Sequence, residues 1–140
     1  MRVSVAPPSQ PADIRNVALV GHSGVGKTTL AEHLLFQAGA IQRLGKVDDG
    51  SAHLDYEPEE QKRQQTLSLA VATFEHDGTR ITLVDTPGYP DFVAEVVSGF
   101  AAADGALFVA DASGTVEAGL EMGVALGRST GRAACFFINK

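Results

Sequence analysis

Eight consecutive residues, Gly21-His22-Ser23-Gly24-Val25-Gly26-Lys27-Thr28, fill every fixed position of the pattern G-x-x-x-x-G-K-[ST]. The glycines let successive backbone N–H groups curl round a phosphate. Lys27 brings a point charge to the β and γ oxygens of a nucleotide, and a helix starting there adds its dipole. The Thr28 hydroxyl suits a Mg²⁺ ligand, and Thr29 closes the candidate nucleotide-binding stretch. A glycine turn that only links a strand to a helix does not account for a Lys-Thr pair at this offset. A second chemical element is Asp85-Thr86-Pro87-Gly88, which follows the apolar run of residues 81–84. Its carboxylate emerges at a strand end, where it suits a water-mediated Mg²⁺ contact. Gly88 leaves a bare backbone N–H able to donate to a γ-phosphate and to be released after hydrolysis, which is a switch.

The elements around these residues alternate. Residues 15–20 form an apolar run that ends at Gly21, as a buried parallel strand does. Over 27–38, Leu30, Leu34, Leu35 and Ala38 recur at helical spacing and Gly39 stops the helix. Periodicity fades over 40–65, where Asp48, Asp49, Asp55, Glu57, Glu59 and Glu60 crowd together. The expectation there is a mobile, solvated loop about 25 residues long, unusual unless functional. Strands over 66–75 and 80–84 flank His76-Asp77-Gly78-Thr79, whose Asp-Gly favours an antiparallel hairpin. A helix carrying Val93, Val96, Val97 and Phe100 follows, then a strand over 106–110 and a helix capped by Thr115 with Leu120, Val124 and Leu126 inward. A strand over 133–138 closes the pattern. Gly119, Gly123 and Gly127 recur every fourth residue in the last helix; close packing and simple fraying account for them equally well. The fold class is therefore α/β, a mostly parallel sheet with one antiparallel hairpin and helices on both faces. Ligands of such sheets bind at the carboxyl ends of the strands, where the Gly21–Thr28 loop falls.

Composition bounds the rest. The chain has 140 residues, room for one domain with a core. Seventeen acidic against eleven basic side chains leave a net charge of −6, so no general basic surface draws it onto nucleic acid, and direct DNA binding is not expected. No apolar run reaches the roughly 20 residues of a membrane helix, which points to a cytoplasmic protein with no membrane partner. Residues 1–13, with prolines at 7, 8 and 11, read as a disordered N-terminal tail, and residues 14–140 as the domain. Cys135 lies in an apolar run and reads as a buried thiol in a reducing compartment. His22, His33, His53 and His76 show no metal-ligand spacing with one another or with Cys135.

Residues 14–140 resemble the GTP-binding (G) domain of translational GTPases, a phosphate-loop NTPase fold, and most of all elongation factor G and its elongation-factor-G-like paralogues. The resemblance rests on the phosphate loop, on Asp85 to Gly88, and on Gly45-Lys46-Val47-Asp48-Asp49-Gly50 followed by Asp55-Tyr56 and Glu59-Glu60-Gln61-Lys62-Arg63. These are similar to the first switch region of elongation factor G. The resemblance implies GTP and GDP as ligands, Mg²⁺ as cofactor with Thr28, Thr66 and Asp85 at the metal, and the ribosome as partner of a monomeric full-length protein. It implies slow Mg²⁺-dependent GTP hydrolysis coupled to switch movements, with Lys27, Thr66, Gly88 and Tyr89 in the catalytic set. The nucleotide-binding set it implies adds Asn139 and Lys140 to the residues from Gly21 to Thr29 and from Asp85 to Tyr89.

The chain departs from that family at several places. Its Arg-Gly-Ile-Thr is Arg63-Gln64-Gln65-Thr66 here, without the flexible glycine. The histidine that follows Asp-Thr-Pro-Gly in most members is Tyr89, as in elongation-factor-G-like paralogues; a phenol with a pKa near 10 donates to water but is a poor base at neutral pH. Gly24 stands where translation factors usually carry the Asp associated with a monovalent cation. The family's Asn-Lys-x-Asp, whose aspartate pairs with guanine, is present only as Asn139-Lys140, which implies a C-terminally truncated G domain with the 133–138 strand as an open sheet edge. Within the class, a tetracycline-resistance ribosomal-protection factor and a release-factor GTPase are rival readings. From another class comes a non-hydrolysing nucleotide-binding module or inactive fragment.

Overall fold

Alternation along the first strand builds two cores at once. In β1 (Ile14–Val20), Ala18 and Val20 point to one face of the sheet and Leu19 to the other, and all three are buried. The computed structural model describes residues 10–55, 57–63 and 66–140, with a 3-10 turn at Pro11–Asp13 leading into β1. Residues 1–9 of the expected tail, with Tyr56, Gln64 and Gln65 of the acidic loop, lie outside the described residues.

After β1 the chain runs through α1 (Lys27–Gln37), α2 (Pro58–Arg63), the hairpin β2 (Ala70–His76) and β3 (Thr79–Asp85), α3 (Val93–Ala102), β4 (Gly105–Asp111), α4 (Ala118–Thr130) and β5 (Ala133–Asn139). A 3-10 turn, Pro90–Phe92, precedes α3. The strand order is β2-β3-β1-β4-β5. β1 is parallel to both β3 and β4, β4 is parallel to β5, and β2 against β3 is the antiparallel pair, as the Asp77-Gly78 turn predicts. Asp77 and Gly78 both take positive φ, 48° and 75°, which that tight turn requires. The chain leaves β1 with β3 on one side and β4 on the other, so a crevice opens at its carboxyl end.

Helices cover both faces. Val96, Phe100 and Leu120, from α3 and α4, pack on Ala18, Val20, Ala106 and Phe108. On the other face Ala31 and Leu35 of α1, with Leu54 of the acidic loop, pack on Leu19, Ala70, Phe74 and Leu83. The glycines of α4 are a packing device. All three are buried, and an added Cβ would meet the Gly88 carbonyl oxygen 2.6 Å from position 119, the Val20 side chain at 123 and the Phe108 ring 2.9 Å from 127.

Four expectations change. The 40–65 segment is not a solvated connector: it holds α2, and Asp55 and Glu60 are buried while Asp48, Asp49, Glu57 and Glu59 stay exposed. Two carboxylates go inward because donors meet them there: the Thr66 hydroxyl on Asp55, and the Glu57, Leu67 and Ser68 amides on Glu60. β2 starts at Ala70 and not at Thr66, because the residues ahead of it turn toward α1 and α2 instead of extending the ladder. Thr115 does not cap α4; Glu117 occupies the N-cap, and Thr115 lies in the exposed turn before it. Cys135 is exposed, because β5 is the outermost strand and its residues through Ile138 are uncovered among the described residues.

Candidate nucleotide and cation site

Strand β1 ends in Val20, and the loop that follows requires glycine at three positions. A Cβ on Gly21 would strike the Val109 carbonyl oxygen, while Gly24 and Gly26 take φ of +78° and +97°. The loop therefore folds back on itself and delivers Lys27 as the first residue of α1. Lys27 is only 5% exposed, and its Nζ donates to the carbonyls of Gly21 and His22 at 3.0 Å each. Burial pulls its pKa below the ordinary value, and Asp85 and Asp55 push it back up. Its Nζ is held inside its own loop by those two carbonyls.

Gly88 closes the far wall. A Cβ there would collide with the Ser23 amide nitrogen and come within 2.7 Å of Lys27 Nζ, so only a bare residue lets the Asp85–Gly88 turn approach. A polar cleft runs between Ser23, Gly24, Gly26, Lys27, Thr28 and Thr29 on one side and Val47, Asp48, Thr66 and Gly88 on the other.

The hydroxyl pair at the base of this cleft bears on the cation. Thr28 Oγ1 donates to Asp85 Oδ2 at 2.6 Å, and Thr66 Oγ1 donates to Asp55 Oδ1 at 2.9 Å. The two hydroxyl oxygens lie 3.1 Å apart. That is hydrogen-bond distance, and either hydroxyl can be the donor, so the four oxygens form one connected polar cluster. Asp85 Oδ1, in a residue with no exposed surface, has no hydrogen-bond partner among the described residues. Burial raises the Asp85 pKa to about 6, with Lys27 and the Thr28 hydroxyl opposing. Burial likewise raises that of Asp55, opposed first by the Thr66 hydroxyl. Converging hard oxygens of net negative charge fit Mg²⁺, which takes one or two protein oxygens and completes its shell with phosphate and water. They do not make an all-carboxylate cage: among the described residues no group of three or more His, Cys, Asp or Glu could hold a metal.

Other expected site residues lie around this centre. Thr86 is buried and its Oγ1 donates to the Leu19 carbonyl at 2.7 Å, so it fixes the turn to β1, and Pro87 is buried beside it. Asn139 and Lys140 reach the loop from the end of β5: Asn139 Nδ2 donates to the Val25 carbonyl at 2.9 Å and Lys140 Nζ to that of Gly24 at 2.8 Å. They brace the phosphate loop from outside the cleft. His22 and Val25 line a second hollow, with Leu120 and Ile138. His22 Nε2 pairs with Glu117 at 3.0 Å, and its ring meets that of Tyr89 edge-on, centroids 6.0 Å apart. Tyr89 is half-buried beside Gly88 and does not line the cleft.

Sequence reasoning misses the carboxylates that hold the loop. Glu32, fully buried on α1, accepts from Gly45, His53 and Leu54 amides, and Glu60 accepts from Leu67 and Ser68 amides at 2.9 and 3.1 Å. One signal is present for Glu32: it is four residues after Thr28 and so on the same helix face.

A β-strand, a phosphate loop ending in Lys-Thr, and a second strand delivering Asp85 and Gly88 opposite it define a phosphate-loop nucleotide-binding domain. More narrowly, the chain belongs to the elongation factor Tu GTP-binding domain family, which matches residues 12–140. It is 49% identical over 107 residues to an elongation factor G-like protein of Mycobacterium tuberculosis, covering 76% of this chain and 15% of that protein. It is 37% identical over 127 residues to the tetracycline resistance protein TetM of Ureaplasma urealyticum, covering 91% and 20%. A crystal structure of a Thermus thermophilus protein superposes with a TM-score of 0.87 at 41% identity, over 89% of this chain and 19% of the other. The matched stretch thus spans 15% of the length of the first of these relatives.

Proposed function

We propose that this domain binds GTP and GDP with Mg²⁺ and hydrolyses GTP by in-line attack of water, as the switch module of an elongation-factor-G-like protein that acts on the cytoplasmic ribosome. The observation that carries the reading is Lys27, a buried cation held on the Gly21 and His22 carbonyls 2.7 Å from where a Cβ of Gly88 would stand. Such a charge, next to free loop amides and a helix N-terminus, is built for phosphate oxygens.

Each residue has a part in that reaction. Lys27 and the amides of Ser23 to Thr28 neutralise the phosphates and hold them in one orientation. Thr28 and Thr66 would hold Mg²⁺ through their hydroxyls, and the ion would supply charge neutralisation for the phosphates. Asp85 orients Thr28, and Asp55 orients Thr66. The Gly88 amide donates to the γ-phosphate and reports its loss. Tyr89, held against His22 on the flank of the phosphate loop, takes by resemblance the role of orienting the nucleophile without accepting its proton, so intrinsic hydrolysis is slow and a partner raises it. Asn139 and Lys140 set the outer edge of the phosphate loop.

A titration of fluorescent GTP in Mg²⁺, competed by unlabelled GTP, GDP and ATP, tests binding and base preference. Single-turnover hydrolysis with and without ribosomes tests the activity. Guanine nucleotides competing well ahead of ATP, and hydrolysis stimulated by ribosomes, is the expected result. Tight binding with no hydrolysis in either condition would make this a non-hydrolysing binding module.

A further inference from the structure

The phosphate loop has a hollow behind it. About 270 Å³ of open space separates His22 and Val25 from Leu120, Ile138 and the stretch that joins β4 to α4. This hollow shares no lining residue with the nucleotide cleft, so it lies on the loop's other side. A wall that faces a hollow has no packed atoms behind it to fix its position. Lys27 holds the loop from the front through the Gly21 and His22 carbonyls, and polar contacts must hold it from behind.

Two carboxylates bracket the hollow, one at each end of the β4–α4 connection. Glu117, at the α4 end, pairs with His22 Nε2 at 3.0 Å. It is the N-cap residue of α4, yet its side chain makes no capping bond, so the pair with His22 is not a by-product of capping. Asp111, at the β4 end, lies 3.1 Å from Lys140 Nζ, which itself donates to the Gly24 carbonyl at 2.8 Å. Asp111 is fixed in turn. Its Oδ1 accepts from the Ser113 amide at 2.8 Å and hydroxyl at 2.6 Å, which leaves Oδ2 for Lys140, and the Ala112 amide donates to the Asn139 carbonyl at 2.8 Å. The two carboxylates therefore reach the loop at His22 and at Gly24, on either side of Ser23.

We propose that Asp111 and Glu117 are positioning residues that form a clamp across this hollow, Asp111 acting through Lys140 and Glu117 through His22, and that the clamp sets how long a nucleotide stays bound. The second clause rests on the nucleotide reading above. Neither carboxylate lines the cleft. A loop already held in its bound shape loses little freedom when phosphates arrive, and loosening it shows mainly as faster dissociation.

Nuclear magnetic resonance of the nucleotide-free chain tests the first clause. Asp111→Asn removes the charge that pairs with Lys140 at nearly constant shape, and Glu117→Ala removes the partner of His22 without removing a cap. In the double variant the Val25 amide nitrogen, which reads hydrogen bonding at the Gly24 carbonyl, should shift. The order parameters of the Ser23, Gly24 and Val25 amides should fall from about 0.85 toward about 0.6. Resonances and order parameters unchanged in the double variant overturn the clamp, whether or not nucleotide binds.

Dissociation of fluorescent GDP, chased by unlabelled GDP in Mg²⁺, tests the second clause. Each single variant should release GDP about fivefold faster, and the double variant faster still, with association within about twofold of wild type. A non-hydrolysable GTP analogue should show the same ratios. Glu117→Gln, which can still accept from His22, should recover part of what Glu117→Ala loses. On a Lys140→Met background Asp111→Asn should add nothing, because its route to the loop is gone; a full further acceleration there overturns the route through Lys140. Loosened loop amides with wild-type dissociation rates overturn the second clause. A wild-type chain that binds neither nucleotide overturns the nucleotide reading, and the clamp then stands or falls on the nucleotide-free resonances.

Discussion

The hydroxyl oxygens of Thr28 and Thr66 lie 3.1 Å apart, within hydrogen-bond distance, though the two residues are 38 positions apart in the chain. Each also lies against a carboxylate, Thr28 against Asp85 and Thr66 against Asp55. The pair is therefore the point at which the segment carrying Thr66 meets the phosphate loop, and under the proposed function the point at which both would meet Mg²⁺.

Thr66→Ala follows from that geometry. It removes one hydroxyl and its hydrogen bond to Asp55 Oδ1 without touching the backbone amides of the Gly21–Thr28 loop. GDP affinity is expected to stay near wild type, while the preference for a GTP analogue over GDP collapses and single-turnover hydrolysis falls by about 10²-fold, the cost typical of one lost electrostatic contact to a transition state. Nucleotide titrations in Mg²⁺ and in EDTA check this, since in EDTA wild type and variant should converge.

Lys27→Met tests the phosphate loop itself. The methionine stem fills the same space, but the Gly21 and His22 carbonyls lose their donor and the phosphates lose their charge. Hydrogen bonds to a charged group contribute about 1.5–3 kcal/mol each, so GTP and GDP affinity should both fall by ten- to a hundredfold or more. Fluorescent-nucleotide titration reads it directly, and unchanged affinity for both would remove the central argument for the site.

How much of this is legible in the sequence depends on the range of the interaction. The phosphate loop, the Asp77-Gly78 hairpin and the strand-helix alternation are local patterns, and all of them hold in the fold. Thr66 is picked out by resemblance alone, because nothing nearby in sequence says that Asp55 will catch its hydroxyl. Glu32 and Glu60 look like ordinary polar positions, since a carboxylate that goes inward is recognised only by the donors it meets, and those come from residues 13 or more positions on for Glu32. Cys135 fails for a different reason: the apolar run suggests a buried thiol, although the same reading makes 133–138 an open edge, and at the edge of the sheet the strand leaves Cys135 exposed.

Gly123→Ala and Gly127→Ala test the packing of α4 on the sheet. Alanine improves intrinsic helix propensity by up to about 1 kcal/mol, so a fraying helix would be stabilised. The structure predicts the reverse, since the new methyl meets Val20 at position 123 and the Phe108 and Phe100 rings at position 127. Overpacking of this kind costs about 1–3 kcal/mol. Both variants should unfold at lower denaturant concentration with an unchanged slope; a gain in stability would return the glycines to the fraying account.

The Asp111 carboxylate offers a pH test. It accepts from the Ser113 hydroxyl and amide and lies 3.1 Å from Lys140 Nζ, and these donors, Ser113 first, hold its pKa down to about 2. Because the folded value lies below the ordinary value of about 4, the ionised form favours folding. That stabilisation is complete above about pH 4 and is lost as the pH falls through about 2. Ser113→Ala should move the Asp111 carboxyl carbon titration upward toward the ordinary value and flatten the pH dependence of stability over the same interval.

Tyr89 carries the last prediction. Its ring lies edge-on to His22, which is itself tethered to Glu117 at the start of α4. Tyr89 is therefore held on the flank of the phosphate loop, one residue from the Gly88 amide. If its hydroxyl orients the attacking water, Tyr89→Phe lowers ribosome-stimulated single-turnover hydrolysis by about tenfold, the effect of one lost neutral hydrogen bond of about 0.5–1.5 kcal/mol. Tyr89→His places an imidazole with a pKa near 6.5 in the same position, able to accept from water at neutral pH, and the rate should rise above wild type. Nucleotide affinity should be unchanged in both, since Tyr89 does not line the cleft. Equal rates for Phe and Tyr would show that the phenol hydroxyl takes no part, and would leave positioned charge from Lys27, Thr28, Thr66 and Gly88 as the whole source of catalysis.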